Sequence, residues 1–169
     1  MEKIRKCVTN HSNSPVKESK GILLISVQDN LSVIGLKSLH YLLLENGYQS
    51  HLLHLPYFET SNFHALERLR EFTVRVNPHF IGLSLMSAEF NNARKVSAYL
   101  KEHFSGIPIV WGGIHPTISP EDCLSFADYV CIGEGEKTIL DLVKVFENGQ
   151  DARAVLNICY KDGVEVKKN

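Results

Sequence analysis

Short apolar runs and longer amphipathic stretches alternate along this chain. Short, nearly continuous apolar runs are typical of strands that are covered on both faces of a sheet. Five runs of this kind predict β-strands over 21–27, 49–56, 79–85, 108–111 and 128–132. The second run is the least apolar of the five, which favours a position near an edge of the sheet.

The stretches between these runs carry apolar residues at helical spacing. Helices are predicted over 31–46 and 63–76, around the stripe from Ala93 to Leu100, from Ser119 to about Phe126, and around the stripe from Ile139 to Phe146. The fourth helix opens with Ser119-Pro120-Glu121-Asp122, which is typical of a helix start with a serine cap and a proline in the first turn. The seven residues 112–118 in front of it are predicted to form a loop.

Strands that alternate with helices predict an α/β fold, in which a five-stranded, doubly wound parallel sheet carries helices on both faces. We expect this domain to span residues 21–150. Residues 1–20 are polar and without apolar periodicity, which is typical of a flexible leader. Residues 151–169 are predicted to form a short hairpin that turns at Asp162-Gly163. A hairpin is an unusual end for such a domain and favours a linker toward a further domain.

Composition excludes several classes of function. The chain has 169 residues, of which 44% are hydrophobic and 22% are charged, as in an ordinary soluble domain. Its net charge of −1 argues against nucleic acid and membrane surfaces as partners. The apolar runs are too short to span a bilayer and no signal peptide opens the chain, so we expect a cytoplasmic protein. The four cysteines and eight histidines lack metal-ligand spacing, which predicts no metal site.

Small and polar residues follow four of the five predicted strands. In an open parallel sheet, ligands bind outside the carboxyl ends of the strands. Four such loops at one edge would form a wide, shallow platform, which suits a large flat ligand. The candidate binding residues are Asp29, Asn30, Leu31 and Ser32 after the first strand, Ser84, Met86, Ser87 and Ala88 after the third, Gly112, Gly113, His115, Pro116 and Thr117 after the fourth, and Gly133, Glu134 and Gly135 after the fifth.

Each of these residues also has an ordinary structural explanation. Ser87 is a plausible N-cap, Glu134 would lie near a helix N-terminus, and His115 alone is more often a hydrogen-bonded structural histidine than a ligand. A purely structural explanation gives no reason for all four loops to share these residue types, so their coincidence favours a binding site. The adjacent Gly112 and Gly113 indicate that something approaches this backbone closely.

Several familiar binding motifs are missing. The chain has no GxGxxG after the first strand, no GxxxxGK[ST] and no GxSxG elbow, which argues against a dinucleotide site, a phosphate-binding loop and a hydrolase nucleophile. The residues alone leave open a flavodoxin-like domain that binds a mononucleotide or a signalling ligand at the same edge.

Three segments in succession, GLSLMS (82–87), WGGIHPT (111–117) and ADYVCIGEGE (127–136), resemble the cobalamin (vitamin B12)-binding domain at the N-terminus of B12-dependent radical SAM enzymes. The resemblance implies a flavodoxin-like fold that binds cobalamin base-off at the carboxyl ends of the strands. It places the nucleotide tail of cobalamin beside Gly112, Gly113 and Ser84, with the loop at 115–117 bordering the corrin ring. A valine at Gly113 is then expected to block the tail without disturbing the fold.

This chain departs from related motifs at two points. Corrinoid proteins of the methionine synthase type carry a cobalt-ligating histidine after the first strand, where this chain has Leu31. The chain also lacks CxxxCxxC, so the resemblance assigns S-adenosylmethionine and its four-iron cluster to a missing radical SAM domain, supplied in cis or in trans. The chain itself is then a binding module without catalytic residues, and the parent enzyme would transfer methyl groups or assist radical chemistry. A corrinoid fold kept only as an interaction module is the remaining alternative.

Overall fold

The computed structural model of the protein describes residues 20–169, so the predicted leader lies almost wholly outside the described residues. The described part contains seven strands: Ile22–Ser26 (β1), Ser50–His54 (β2), Ile81–Ser84 (β3), Ile109–Gly112 (β4), Tyr129–Cys131 (β5), Ile158–Asp162 (β6) and Glu165–Lys168 (β7). It contains six α-helices: Ile34–Glu45 (α1), Phe63–Val76 (α2), Phe90–His103 (α3), Ile114–Ile118 (α4), Pro120–Cys123 (α5) and Glu136–Glu147 (α6).

The strands form one sheet in the order β2-β1-β3-β4-β5-β6-β7. The first five strands are parallel, and β2 occupies an edge, as its weaker apolar character predicts. Strand order reverses between β1 and β3, which is where ligands bind in folds of this type. The predicted α/β fold class with a parallel sheet is confirmed.

The C-terminal hairpin is present, and it extends the sheet instead of standing apart from it. Strand β6 pairs antiparallel with β5, and β7 pairs antiparallel with β6. Asp162 pairs with Glu165, so the two residues of the turn are Gly163 and Val164, one position later than predicted. The sheet therefore has seven strands in the described part of the chain.

Each face of the sheet is covered by its own helices and its own apolar core. One cluster contains Leu69 of α2 and Val96 of α3, which pack with Trp111 of β4. The other contains Leu36 of α1 and Ile139 of α6, which pack with Val110 of β4. Adjacent residues of a strand point to opposite faces, so neighbouring residues of β4 belong to different cores. This parity determines which side of the sheet each residue of β4 faces.

The segment after β4 is not the seven-residue loop that the sequence predicts. Residues Ile114–Ile118 form a short helix, α4, closed by hydrogen bonds such as Ser119 N to the carbonyl oxygen of His115 at 2.9 Å. Pro116 lies in the first turn of α4, where its missing N–H removes no helical hydrogen bond. Ser119 does occupy the N-cap of α5, but its side chain makes no capping hydrogen bond. Five residues are too few to show a helical period, which explains why the pattern misses α4.

None of the helices in the described part of the chain is long and apolar enough to cross a membrane.

Candidate functional site

A cavity of about 180 Å³ opens at the carboxyl ends of the strands, between the sheet and helices α1 and α6. Its floor includes Leu24 of β1, Gly82 of β3 and Val110 of β4, which are cross-strand neighbours in the register. The cavity therefore lies on the α1 and α6 face, next to the point where strand order reverses. We call it the sheet cavity.

Glycines leave space in the floor of the sheet cavity. Gly112 lies one pleat beyond Val110, so a side chain at this position would point into the cavity. A Cβ on Gly112 would meet nothing closer than the Cβ of Cys131 at 3.8 Å, which is ordinary contact. A Cβ on Gly82 would lie 3.0 Å from the flexible Cδ2 of Leu24. The fold alone does not require glycine at Gly112, and its missing side chain is what a ligand could use.

Gly113 is different, because the fold itself requires glycine there. Its φ of +105° lies in the region that side chains rarely adopt, and a Cβ would lie 2.6 Å from the carbonyl oxygen of Leu85. The expectation that a valine at Gly113 would leave the fold undisturbed is therefore wrong. Glycine therefore serves a different purpose at each of the two positions. Gly113 allows the chain to leave β4, and Gly112 leaves the cavity open.

Six of the sixteen candidate residues line the sheet cavity. They come from the ends of β3 and β4 and from the loop after β5: Ser84, Gly112, Gly113, Gly133, Glu134 and Gly135. The other ten lie at the same edge of the sheet but outside the cavity lining, in the loop after β1, the turn before α3 and helix α4.

The apolar walls of the sheet cavity come from residues that no motif in the sequence marks as a site. They are Leu36 and Leu39 of α1, Ile139 and Leu142 of α6, Leu24 and Val110 of the sheet, and Phe80 just before β3. Their apolar periodicity identifies them only as core residues, which most of them also are. Gly82 carried the one available signal, since a glycine inside a strand often marks the close approach of another group.

His115 is turned toward the other face of the sheet. Its Nδ1 lies 3.0 Å from the hydroxyl of Ser87, and its ring lies edge-on to Phe90 with the centroids 4.8 Å apart. Its Nε2 is buried and has no hydrogen-bond partner in the described part of the chain. The sequence favours Ser87 as a helix N-cap, but its side chain caps no helix. It orients His115 instead. His115 holds α4 against the turn before α3.

Thr117 joins two of the loops at the cavity mouth. Its hydroxyl donates to the carbonyl oxygen of Gly113 at 2.8 Å and accepts from the backbone N–H of Gly133 at 3.0 Å. Both bonds come from one side chain on α4. The position of the β5–α6 loop relative to β4 therefore depends on Thr117.

We expect Thr117→Val to loosen this connection, because valine has the same shape but can neither donate nor accept. Loss of two hydrogen bonds at a partly solvated site should lower the free energy of unfolding by about 1–2 kcal/mol. Urea denaturation measures the change. Thr117→Ser keeps the hydroxyl and should stay much closer to the parent. If both variants lowered the free energy of unfolding equally, the hydroxyl of Thr117 would not be what connects the two loops.

The loop after β1 is exposed and ordered by its own side chains. The Oδ1 of Asn30 accepts from the backbone N–H of Ser32 at 2.9 Å, and its Nδ2 donates to Asp29 at 3.2 Å. Leu31, beside them, is 65% exposed and lacks a donor atom. Ile34, Ile114 and Ile118 are also largely exposed. These apolar side chains border the same edge of the sheet and form a surface that suits a ligand with an apolar face.

The ionisable groups of the cavity lie mainly at its mouth, where Glu134 and Glu136 are exposed. Deeper in, burial raises the pKa of the Cys131 thiol to about 11, so this thiol is uncharged at neutral pH. No group of three or more His, Cys, Asp or Glu side chains could hold a metal ion within residues 20–169.

The family model described as B12 binding domain matches residues 21–143 of this chain. An uncharacterised methyltransferase of Pyrococcus horikoshii is 28% identical over 98 residues, which cover 55% of this chain and 21% of the relative. The anaerobic magnesium-protoporphyrin IX monomethyl ester cyclase of Synechocystis is 26% identical over 137 residues, which cover 79% of this chain and 27% of the cyclase.

Solved structures share the fold. The radical S-adenosylmethionine methyltransferase TsrM of Kitasatospora setae, with cobalamin and a [4Fe-4S] cluster bound, matches with a TM-score of 0.75 at 17% identity, over 88% of this chain and 28% of TsrM. The cobalamin-dependent S-adenosylmethionine radical enzyme OxsB, with aqua-cobalamin bound, matches with a TM-score of 0.71 at 24% identity, over 90% of this chain and 22% of OxsB.

This chain thus spans between 21% and 28% of the length of these four proteins. The comparisons confirm the resemblance that the sequence shows to the cobalamin-binding domain of radical SAM enzymes. They support it over the mononucleotide- or signal-binding alternative.

Proposed function

Because this chain belongs to the B12-binding domain family, we propose that it binds cobalamin base-off at the carboxyl ends of β1, β3, β4 and β5. The nucleotide tail occupies the sheet cavity, and the corrin ring covers the exposed apolar edge around Leu31 and Ile114. The domain that does this comprises residues 21–150, and residues 151–169, whose hairpin extends its sheet, lead toward another domain.

The open floor at Gly112 is the observation that carries this proposal. The cavity lies where strand order reverses, it is mostly apolar, and the space that a side chain of Gly112 would fill is free. If this region served only to pack the core, a side chain would fill the space, because protein interiors are close-packed. The residues present therefore fit a ligand that inserts an extended group beside the sheet.

Individual residues have distinct roles in this proposal. Ser84 and Gly112 border the tail, Leu39 and Leu142 cover its apolar part, and Thr117 keeps the two mouth loops together. Cobalamin, when bound, supplies a cobalt centre that can carry a methyl group or take part in radical chemistry. The chain itself binds, orients and shields this cofactor.

We further propose that the chain works with a radical SAM domain, in cis or in trans, which holds S-adenosylmethionine and the four-iron cluster. The support is that this chain shares its fold with only 28% of TsrM, a radical S-adenosylmethionine methyltransferase with a bound [4Fe-4S] cluster. Methyl transfer or related radical chemistry on an unactivated carbon is the activity we propose for the whole enzyme, in the cytoplasm.

Retention of added corrinoid tests the binding function directly. We expect the purified chain, mixed with cobalamin under dim light and desalted, to keep about one corrinoid per chain by its visible absorbance. A flavin mononucleotide sample treated in the same way serves as the comparison. A chain that keeps the flavin and releases cobalamin would overturn the proposal.

The second expectation concerns the lower face of cobalt. Leu31 has no donor atom, and His115, the histidine of these loops, is held by Ser87 and Phe90 with its Nε2 buried, so its ring does not face the ligand surface. We expect electron paramagnetic resonance of the bound cobalt(II) form to show no nitrogen superhyperfine splitting. Free base-on cobalamin is the positive control for that splitting. Splitting that disappears in His115→Ala would show that the histidine is a ligand.

A further inference from the structure

The depth of the sheet cavity offers apolar contact and few free hydrogen-bond partners. Its walls are Leu36 and Leu39 on one side and Ile139 and Leu142 on the other, above a floor that includes Val110. Of these, Leu142 is 2% exposed and Val110 is 5% exposed, so they lie well inside the fold.

The backbone groups around the cavity are already engaged. The carbonyl oxygen of Gly112 accepts from the N–H of Leu85 at 3.1 Å, and that of Gly135 accepts from the N–H of Ile139 at 2.8 Å. The N–H of Gly133 donates to Thr117. The thiol of Cys131 is partly buried and is a weak hydrogen-bonding group. The strongly polar side chains of the lining are Ser84, at the end of β3, and Glu134 and Glu136, at the mouth.

Polarity is therefore graded along the cavity, polar at its mouth and apolar inside. An apolar cavity of roughly 150 Å³ accommodates an aromatic ring such as benzene, and the sheet cavity measures about 180 Å³. A buried polar group without a partner is costly, whereas an apolar group gains from the same walls. The cavity should then discriminate among aromatic groups by the polarity of their edges.

Corrinoids differ in the base at the end of their nucleotide tail. Cobalamin carries dimethylbenzimidazole, whose outer edge bears two methyl groups, and other corrinoids carry adenine, whose outer edge bears an amine and ring nitrogens. We propose that this chain selects corrinoids by that base and prefers an apolar benzimidazole to a purine, with Leu39, Val110 and Leu142 as the selecting residues. This inference rests on the proposed binding of cobalamin.

Binding of three corrinoids to the full chain tests the inference. Isothermal titration would compare cobalamin, its analogue with an adenine base, and cobinamide, which has no nucleotide tail. We expect the adenine analogue to bind at least about tenfold more weakly than cobalamin, the scale on which an apolar pocket rejects a polar or smaller group. Cobinamide should also bind more weakly than cobalamin.

The outcomes separate the inference from the proposed function. If the two tailed corrinoids bind equally and cobinamide more weakly, the cavity holds the tail without selecting its base, and the inference alone fails. If all three bind equally, the tail does not use the cavity and the inference also fails. If none binds, the proposed function fails and the inference fails with it.

A substitution in the wall should change the preference. Leu39 is partly exposed and helical, so Leu39→Gln keeps the helix while adding a donor and an acceptor to the cavity. We expect this substitution to reduce the ratio of the affinity for cobalamin to the affinity for the adenine analogue several-fold. Leu44→Gln, on the same helix but outside the cavity lining, is the matched control and should leave the ratio unchanged. Val110→Thr, which is nearly isosteric, tests the floor in the same way and should also reduce the preference for cobalamin. An unchanged affinity ratio in both Leu39→Gln and Val110→Thr would overturn the inference.

Discussion

Gly112→Val is expected to abolish tight cobalamin binding while leaving the fold intact. A valine here would extend into the sheet cavity, where the tail is proposed to lie, and would displace it. Losing the burial of an aromatic group costs about 3 kcal/mol, which is roughly a hundredfold in the dissociation constant. Valine is favoured in strands, and the nearest atom to its Cβ is 3.8 Å away. Titration with cobalamin, together with thermal unfolding of the free protein, measures both effects.

A matched control separates blocked binding from general damage. Gly106 is exposed, has open space around a Cβ and lies in the connection that leads to the amino end of β4, outside the cavity lining. Gly106→Val should bind cobalamin as the parent does. Tight binding by a folded Gly112→Val protein would show that the tail does not lie in the sheet cavity. The main observation behind the proposed function would then no longer support it.

Gly113→Ala is expected to show the opposite pattern and to destabilise the fold itself. The added methyl group would lie 2.6 Å from the carbonyl oxygen of Leu85, on a backbone with φ of +105°. Strain of this kind together with the clash should lower the free energy of unfolding by about 2–4 kcal/mol. Urea denaturation in the absence of ligand measures it.

The neighbouring glycine supplies the comparison for this second prediction. Gly112→Ala adds the same methyl group one residue earlier, where only ordinary contacts await it. It should change the free energy of unfolding by less than about 1 kcal/mol. Similar stabilities of the two alanine variants would show that the chain can leave β4 without the left-handed conformation at Gly113.

Much of the fold can be read from local patterns. The five parallel strands, the edge position of β2 and the long helices all follow from apolar runs and helical stripes, because each face of an element must match what covers it. The periodicity does not predict α4, because its five residues span little more than one helical turn. The hairpin was predicted, but its pairing with β5 depends on a contact between segments that lie far apart in the chain.

The candidate site divides in the same way. The sequence shows which loops carry small and polar residues, because the ends of parallel strands must lie at one edge. It does not show that His115 turns away toward Phe90, or that Thr117 bridges two loops. These orientations depend on neighbours that come together only when the sheet is formed.

The sequence by itself determined the class of fold, the edge of the sheet that carries the site and the resemblance to the B12-binding family, because periodicity and short motifs are local properties of the chain. Only the tertiary structure decided which of two adjacent glycines serves the fold and which leaves room for a ligand. It also decided that Leu36 and Ile139, about a hundred residues apart in the chain, face each other across the sheet cavity. Strand parity, backbone conformation and the packing of distant helices make these choices, and each of them requires the folded chain.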